Sequence, residues 1–337
     1  MSKMTNKKIA DLAGVSPAAV SIAMNGRKGI SDETREKILK IAKDNNYVTG
    51  ATSVKLLQGG AHYVAILFRT DAILDDQIFY SEMAIDAMIA CRDTDYSIIT
   101  TFVTGEPGTI KLPKAIMNGD VEGVLICGDQ EPGIYSELNR LNIPFVILDS
   151  SRHKDDRPAV FVDYDDAAYT ATKHLIELGH RNIAFLSNGA LHDFNTLVLD
   201  GFQRATRESN IPIYANWMQI DLGSDDSLKE CVDRALNGTQ KPTAIFCTVD
   251  IYAINIIRYL HTCGYRVPED ISVISIDDVL MSKFVIPSLT TMAVDRKQMI
   301  SDGLDMLDKL IRGEPCKSLM LAKPVLKVRE STAKIKG

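Results

Sequence analysis

The side chains best placed for intermolecular chemistry lie near the start of the chain, in the run KKIADLAGVSPAAVSIAMNG. If Val20, Ala23 and Met24 repeat inward at helical spacing, then Pro17, Ala18, Ser21, Ile22 and Asn25 are left outside. A short helix carrying small hydroxyl, amide and apolar groups outward reads as the second element of a DNA-binding helix-turn-helix. Catalytic chemistry finds less support. No GxGxxG follows a strand-like run, GxxxxGK[ST], GxSxG and HExxH do not occur, and the six histidines are scattered. His180, in LGHRNI, reads as a loop or helix-end residue. Cysteines 91, 127, 231, 247, 263 and 316 form no CxxC pair or metal-like spacing, so reduced core thiols are expected, with no metal or cofactor.

The elements that must position the outward face follow from capping chemistry. Thr5 can cap a first helix with Ile9, Leu12 and Ala13 on one face, Gly14 permits the turn, and Val15 plugs it from below. Ser16 caps the second helix and Pro17 takes its first position, where a missing N–H costs nothing. A third helix starts at Ser31, carries Asp32 and Glu33 in its first turn, buries Ile38, Leu39, Ile41 and Ala42, and stops near Asn45 and Asn46. Charge agrees with a nucleic-acid partner at this end. Residues 1–60 hold ten Lys or Arg against five Asp or Glu, while the whole chain carries a formal charge of −6.

Beyond His62 the pattern changes. Apolar strand-like runs (YVAILF, YSIITTF, GVLIC, PFVILD, NIAFLS, TAIFC, ISVISID) alternate with helix-like stretches at 78–92, 132–141, 165–178, 196–209, 226–236 and 250–263. Repeated βα units imply an α/β body of doubly wound parallel sheets with helices on both faces. At 337 residues and 45% hydrophobic, the chain has room for two or three domains. No apolar stretch is long enough to span a membrane, and MSKMTNKK lacks an apolar segment behind its charges, so a cytoplasmic protein is expected.

The runs IADLAGVSPAAVSIAMNG, ISDETREKILKIAKDNNY and LLQGG resemble the headpiece and hinge of the LacI/GalR transcriptional regulators. The likeness continues through VEGVLI, HLIELGHRNIAFL, GFQRA, PTAIFC, GYRVPEDISVISIDD and PSLTTMAVD, in the family's order. The resemblance implies a helix-turn-helix headpiece over 1–47, a hinge over 48–60 and a type I periplasmic-binding-protein-like body over 61–337. Its N-lobe is expected at about 61–160 and 290–318, its C-lobe at about 161–289 and 319–330. It further implies a homodimeric repressor on a pseudo-palindromic duplex operator, with a small-molecule effector between the lobes and no membrane partner. By the resemblance Leu56 is the hinge residue wedged into the minor groove. Thr5, Ser16, Ser21, Asn25 and Lys55 become phosphate contacts. Where the family often has arginine after the valine-serine pair, Ile22 stands here. Ile22 and Ala18 can touch thymine methyl groups but cannot grip guanine.

The cleft departs from the family further. Asp277 and Asp149 match family carboxylates, and Asp250 matches the second member of an Asn-Asp pair, although it equally reads as a helix cap. Phe79 and Tyr80 correspond to an aromatic pocket wall and equally read as core, while Asp278 reads as a loop residue. Val198 replaces the usual clamping arginine, Val249 the asparagine before Asp250, and Leu222 the stacking aromatic. A cleft more apolar than a sugar pocket is therefore expected. A sugar-like or more apolar metabolite, a degenerate cleft controlled by a protein partner, and a solute-binding protein of the same bilobed fold stay open as readings.

Overall fold

A computed structural model describes residues 5–24, 29–45, 62–69, 77–92, 94–104, 111–151, 157–187, 192–219 and 225–335. The chain divides into a headpiece unit and a body unit.

In the headpiece, helices α1 (Asn6–Ala13), α2 (Pro17–Met24) and α3 (Asp32–Asp44) follow the capping signals. The Thr5 hydroxyl accepts from the Lys8 N–H at 3.4 Å, Ser16 from Ala19 at 3.1 Å and Ser31 from Thr34 at 3.2 Å. Gly14, at φ 70°, takes the left-handed conformation that ends α1, and its N–H donates to the Ala10 carbonyl. Ile9, Ala10, Ala13, Val20, Ala23, Met24, Ile38 and Ala42 make the core, with Val15, Leu39 and Ile41 partly buried against it. Leu12 corrects the expected inward face: it is 56% exposed, and Ala10 takes its place. The buried face of α1 is centred between positions 9, 10 and 13, and position 12 lies about 100° round the helix from that centre.

The body contains two six-stranded sheets. The N-lobe is built on β1 (His62–Arg69), β2 (Tyr96–Val103), β3 (Gly123–Cys127), β4 (Phe145–Ser150), β5 (Ala159–Val162) and a late strand, β11 (Leu319–Ala322), in the order β11-β5-β4-β3-β1-β2. Helices α4 (Gln77–Cys91), α5 (Lys114–Met117) and α6 (Pro132–Arg140) fall between these strands. The C-lobe sheet runs β12-β10-β9-β8-β6-β7. Its strands are β6 (Ile183–Leu186), β7 (Met218–Gln219), β8 (Ala244–Cys247), β9 (Ser272–Asp277), β10 (Thr290–Ala293) and β12 (Val325–Lys327). Helices α7 (Tyr164–Glu177), α8 (His192–Glu208), α9 (Asp225–Leu236) and α10 (Asp250–Thr262) accompany it, while α11 (Arg296–Ile311) packs on β3, β4 and α4 of the N-lobe.

Pairing is parallel between β6, β8, β9 and β10, as the alternation requires, but β12 is an antiparallel edge. The backbone passes between lobes after Val162, between Ala293 and Arg296, and between Ala322 and Val325. These crossings fall a few residues later than the lobe limits of 160, 289 and 318 expected from sequence. β5 and β11 complete the N-lobe sheet and β10 the C-lobe sheet. Each of these strands has only four residues, so the chain reverses lobes before a longer apolar run can announce it.

Candidate functional site

On the headpiece, α2 buries Val20, Ala23 and Met24, leaves Pro17 and Ala18 exposed, and leaves Ser21 and Ile22 partly exposed. Arg35 of α3 donates to the Ala23 carbonyl at 3.4 Å and so ties the end of α2 to the third helix. Thr5 and Ser16 use their hydroxyl oxygens to accept as helix caps, an intramolecular role that leaves each O–H to donate to a phosphate oxygen or water. Asn25, Lys55 and Leu56, with the 48–60 hinge, lie outside the described residues.

In the body, the polar groups converge where the lobes meet. Asp149, near the end of β4, has φ 59° and is buried. Its Oδ2 accepts the Tyr80 phenol of α4 at 3.0 Å, and its Oδ1 accepts the Tyr164 phenol. Tyr164 opens α7 of the C-lobe, so this second bond crosses between lobes. Burial pushes the Asp149 carboxyl up to about 7, opposed by the two phenols and reinforced by the neighbouring Asp129. Asp129 is held by the Ser150 hydroxyl at 3.0 Å and by the N–H and hydroxyl of Ser151 at 2.9 and 2.6 Å. Burial also drives the Tyr164 phenol well up, with the charges of Asp149 and Asp277 adding to it. One phenol thus feels a carboxylate from each sheet.

The C-lobe side is anchored by Asp250 and Asp277. The carboxylate of Asp250 is fully buried and turned into its own lobe. Its Oδ1 accepts the Ser275 and Thr291 hydroxyls, each at 2.6 Å, and its Oδ2 accepts the Val279 N–H at 3.0 Å. Burial raises its pKa against those three donors. Of the two expected roles, the observed bonds are structural: Asp250 fastens β9, β10 and the turn after β9. Asp277, at φ 134°, accepts the Asp250 N–H at 3.1 Å, which supplies the cap that Val249 cannot. Val198 is fully buried on α8 and Val249 is buried at the start of α10, so both are core residues of the C-lobe. Phe79 is buried edge-on to Tyr80, ring centroids 5.4 Å apart. Leu222 lies outside the described residues. Asp278, in the turn after β9, pairs with Arg329.

A second link joins the lobes. Glu82 on α4 accepts the Leu280 N–H, from the turn after β9, at 2.8 Å and also pairs with Arg296 at the start of α11. Asp86 stands 3.5 Å from the Arg296 Nε, and the guanidinium lies 5.3 Å above the Phe79 ring.

Comparison with known proteins places this geometry. Residues 5–50 match the pattern of bacterial regulatory proteins of the lacI family, and residues 172–332 match the periplasmic binding protein-like domain. The chain is 27% identical over 335 residues to the HTH-type transcriptional repressor PurR of Mannheimia succiniciproducens, covering 98% of this chain and 99% of that protein. It is 28% identical over 338 residues to the PurR repressor of Vibrio vulnificus, covering 98% and 99%. The chain joins a lacI-family helix-turn-helix domain to a periplasmic binding protein-like domain. Its fold is similar to that of the lac repressor dimer bound to operator and the anti-inducer ONPF, with a TM-score of 0.71, 24% identity, and coverage of 98% of this chain and 100% of that one.

Three residues of the body carry no local motif in the sequence. Tyr164 and Glu82 join lobes through partners 15 and 198 positions away, and nothing local marks them. Thr248, just after β8, is fully buried, and its Oγ1 has no hydrogen-bond partner among the described residues. Its place just past a parallel strand's carboxyl end was the available signal.

Proposed function

We propose that this chain is a transcriptional repressor that binds duplex operator DNA as a homodimer and is switched by a small molecule held between the lobes. The observation that carries the reading is the cross-lobe bond from Tyr164 to Asp149, in a chain whose first helices are capped as a DNA reader. A ligand that inserts at this bond changes the balance between lobe arrangements by its differential affinity for them, and the dimer transmits that difference to the headpieces.

Two apolar patches on the body support the homodimer. On α4, Ile85, Met88 and Ile89 recur at helical spacing and are each 52% exposed. On the turn after β9, Phe284 is 75% and Ile286 90% exposed. Exposed groups of this size are suited to a self-complementary interface. The reading makes the protein a regulator in the cytoplasm, with no catalytic step assigned to it. Ser21, Ile22, Ala18 and Pro17 face the major groove, Thr5 and Ser16 contact phosphate alongside Asn25 and Lys55, and Leu56 enters the minor groove.

The test is selection of genomic fragments by the full-length protein, followed by gel shifts across a salt series. Retention of one palindromic motif, with affinity falling steeply as salt rises, is the expected result. Equal binding of every fragment and of bulk competitor overturns it.

A further inference from the structure

A cavity of about 520 Å³ opens on the flank of the C-lobe between α9 and α10. It is lined by Leu228 and Lys229 of α9 and by Asn255, Arg258, Tyr259 and Thr262 of α10. Its size falls within the range of about 300–1,000 Å³ that small-molecule sites occupy. The cavity lies apart from the lobe junction. Helix α10 meets the junction with its first residue, Asp250, whose N–H donates to Asp277. The lining residues Asn255 to Thr262 follow about 8 to 18 Å further along the helix axis.

Residue spacing accounts for the hollow. Asn255, Arg258, Tyr259 and Thr262 recur at helical spacing along one face of α10, and of these only Tyr259 brings an apolar body to the contact with α9. Leu228 is buried, and Tyr259 packs against the same apolar cluster, so the two make a floor and a wall. The Tyr259 phenol donates to the Asp233 carboxylate, 2.8 and 2.9 Å from its two oxygens, which fixes the ring and engages that carboxylate of α9.

The polar part of the lining is positive. Among the described residues no carboxylate lines the cavity, whereas Lys229 and Arg258 both do. Glu230 lies outside the lining, and the side chains of Asp225 and Asp226 fall outside the described residues. Lys229 has contacts of its own, so Arg258 is the cation available. Arg258 and Asn255 stand one turn apart, and among the described residues neither side chain has a hydrogen bond or ion pair. The Thr262 hydroxyl, by contrast, donates to the Tyr259 carbonyl at 2.7 Å. A guanidinium grips a carboxylate through two parallel N–H···O bonds, and the Asn255 amide offers a further donor beside it. The Leu228 side chain and the Tyr259 ring suit an apolar body attached to that head.

We propose that this cavity binds a small carboxylate with an apolar body, its head on Arg258 and Asn255 and its body against Leu228 and Tyr259. It is a second ligand site, on the C-lobe alone, and it stands independently of an effector held between the lobes.

Calorimetric titration of the full-length protein with phenylacetate, benzoate and octanoate, and in parallel with 2-phenylethanol and acetate, tests the inference. Saturable binding of at least one of the three apolar acids is expected. 2-Phenylethanol and acetate, which each supply only half of such a ligand, should bind about tenfold more weakly or not at all. Arg258→Gln should weaken binding of the acid by about tenfold or more, and Asn255→Ala by about fivefold. Arg258→Lys, which keeps the charge without the planar fork, should fall between wild type and Arg258→Gln. Arg258 is exposed, so its variants should keep the wild-type unfolding midpoint and carry the comparison. Failure of all three acids to bind overturns the proposal, and so does equal binding of 2-phenylethanol. An acid that binds Arg258→Gln as tightly as wild type also overturns it, because its site is then elsewhere.

Discussion

Tyr164, the first residue of the C-lobe's opening helix, donates its phenol to Asp149 at the end of an N-lobe strand, joining the lobes through a buried hydrogen bond. Tyr164→Phe removes that donor and leaves one oxygen of Asp149 with reduced solvation inside the protein. The expected cost is about 1–2 kcal/mol of unfolding free energy, read by urea denaturation. An unchanged midpoint would show that the bond contributes nothing to the closed arrangement.

The same carboxylate sets a pH dependence. Because burial raises the Asp149 pKa from 3.8 to about 7, the folded protein binds this proton more tightly than the unfolded chain. The corresponding stability is complete below the unfolded value and is lost as pH rises through the folded one. The stability of wild type relative to Asp149→Asn should therefore decline from about pH 4 to about pH 7 and flatten above. Comparison with the variant cancels the titration of Asp250 and the surface carboxylates. A difference that does not vary with pH would refute the assignment.

Glu82 and Arg296 are both mostly buried, and their pairing is expected to fail asymmetrically. Glu82→Met strands the guanidinium with Asp86 alone and should cost about 3 kcal/mol, whereas the double variant Glu82→Met, Arg296→Met should recover much of that loss. Denaturation of all three proteins measures the coupling. Additive losses would mean the pair acts independently.

Close helix packing gives a sharper steric prediction. A Cβ at Gly201 of α8 would lie 2.1 Å from the Asp165 carbonyl oxygen of α7, a backbone atom that cannot swing aside. Gly201→Ala should destabilise the body by about 3 kcal/mol through separation of these helices, visible as a lower thermal midpoint. Retention of the wild-type midpoint would show that the two helices separate without cost.

Base preference is the readout for the headpiece. Ile22→Arg introduces a group able to bridge guanine O6 and N7, a contact worth about 1–3 kcal/mol. Operator selection with the variant should move one position of each half-site toward guanine, and an identical selected motif for both proteins would remove Ile22 from the base-reading face.

Much of the fold was legible because long periodic segments declare themselves. The run predicted as a helix over 250–263 is observed at Asp250–Thr262, and 132–141 at Pro132–Arg140. Caps were equally readable, since Thr5, Ser16 and Ser31 sit one residue before helices they can satisfy. Leu12 was misplaced because four apolar residues on an eight-residue helix, Ile9, Ala10, Leu12 and Ala13, define two overlapping faces, and tertiary contact with α2 and α3 selects one. At the junction the carboxylates were visible as strand-end residues, but their partners were not. Asp250 finds Ser275 and Thr291 only after β9 and β10 align beside it, and Asp149 finds Tyr164 only once the chain has changed lobes.

The interleaved path of the backbone bears on how the protein is made. The N-lobe sheet is missing its outer strand β11, and its inner face is missing α11, until residues 296–322 have left the ribosome, long after β5 was synthesised. The first lobe to be translated is therefore among the last to be finished, and during elongation its apolar strands wait exposed for a cover encoded near the other end of the message.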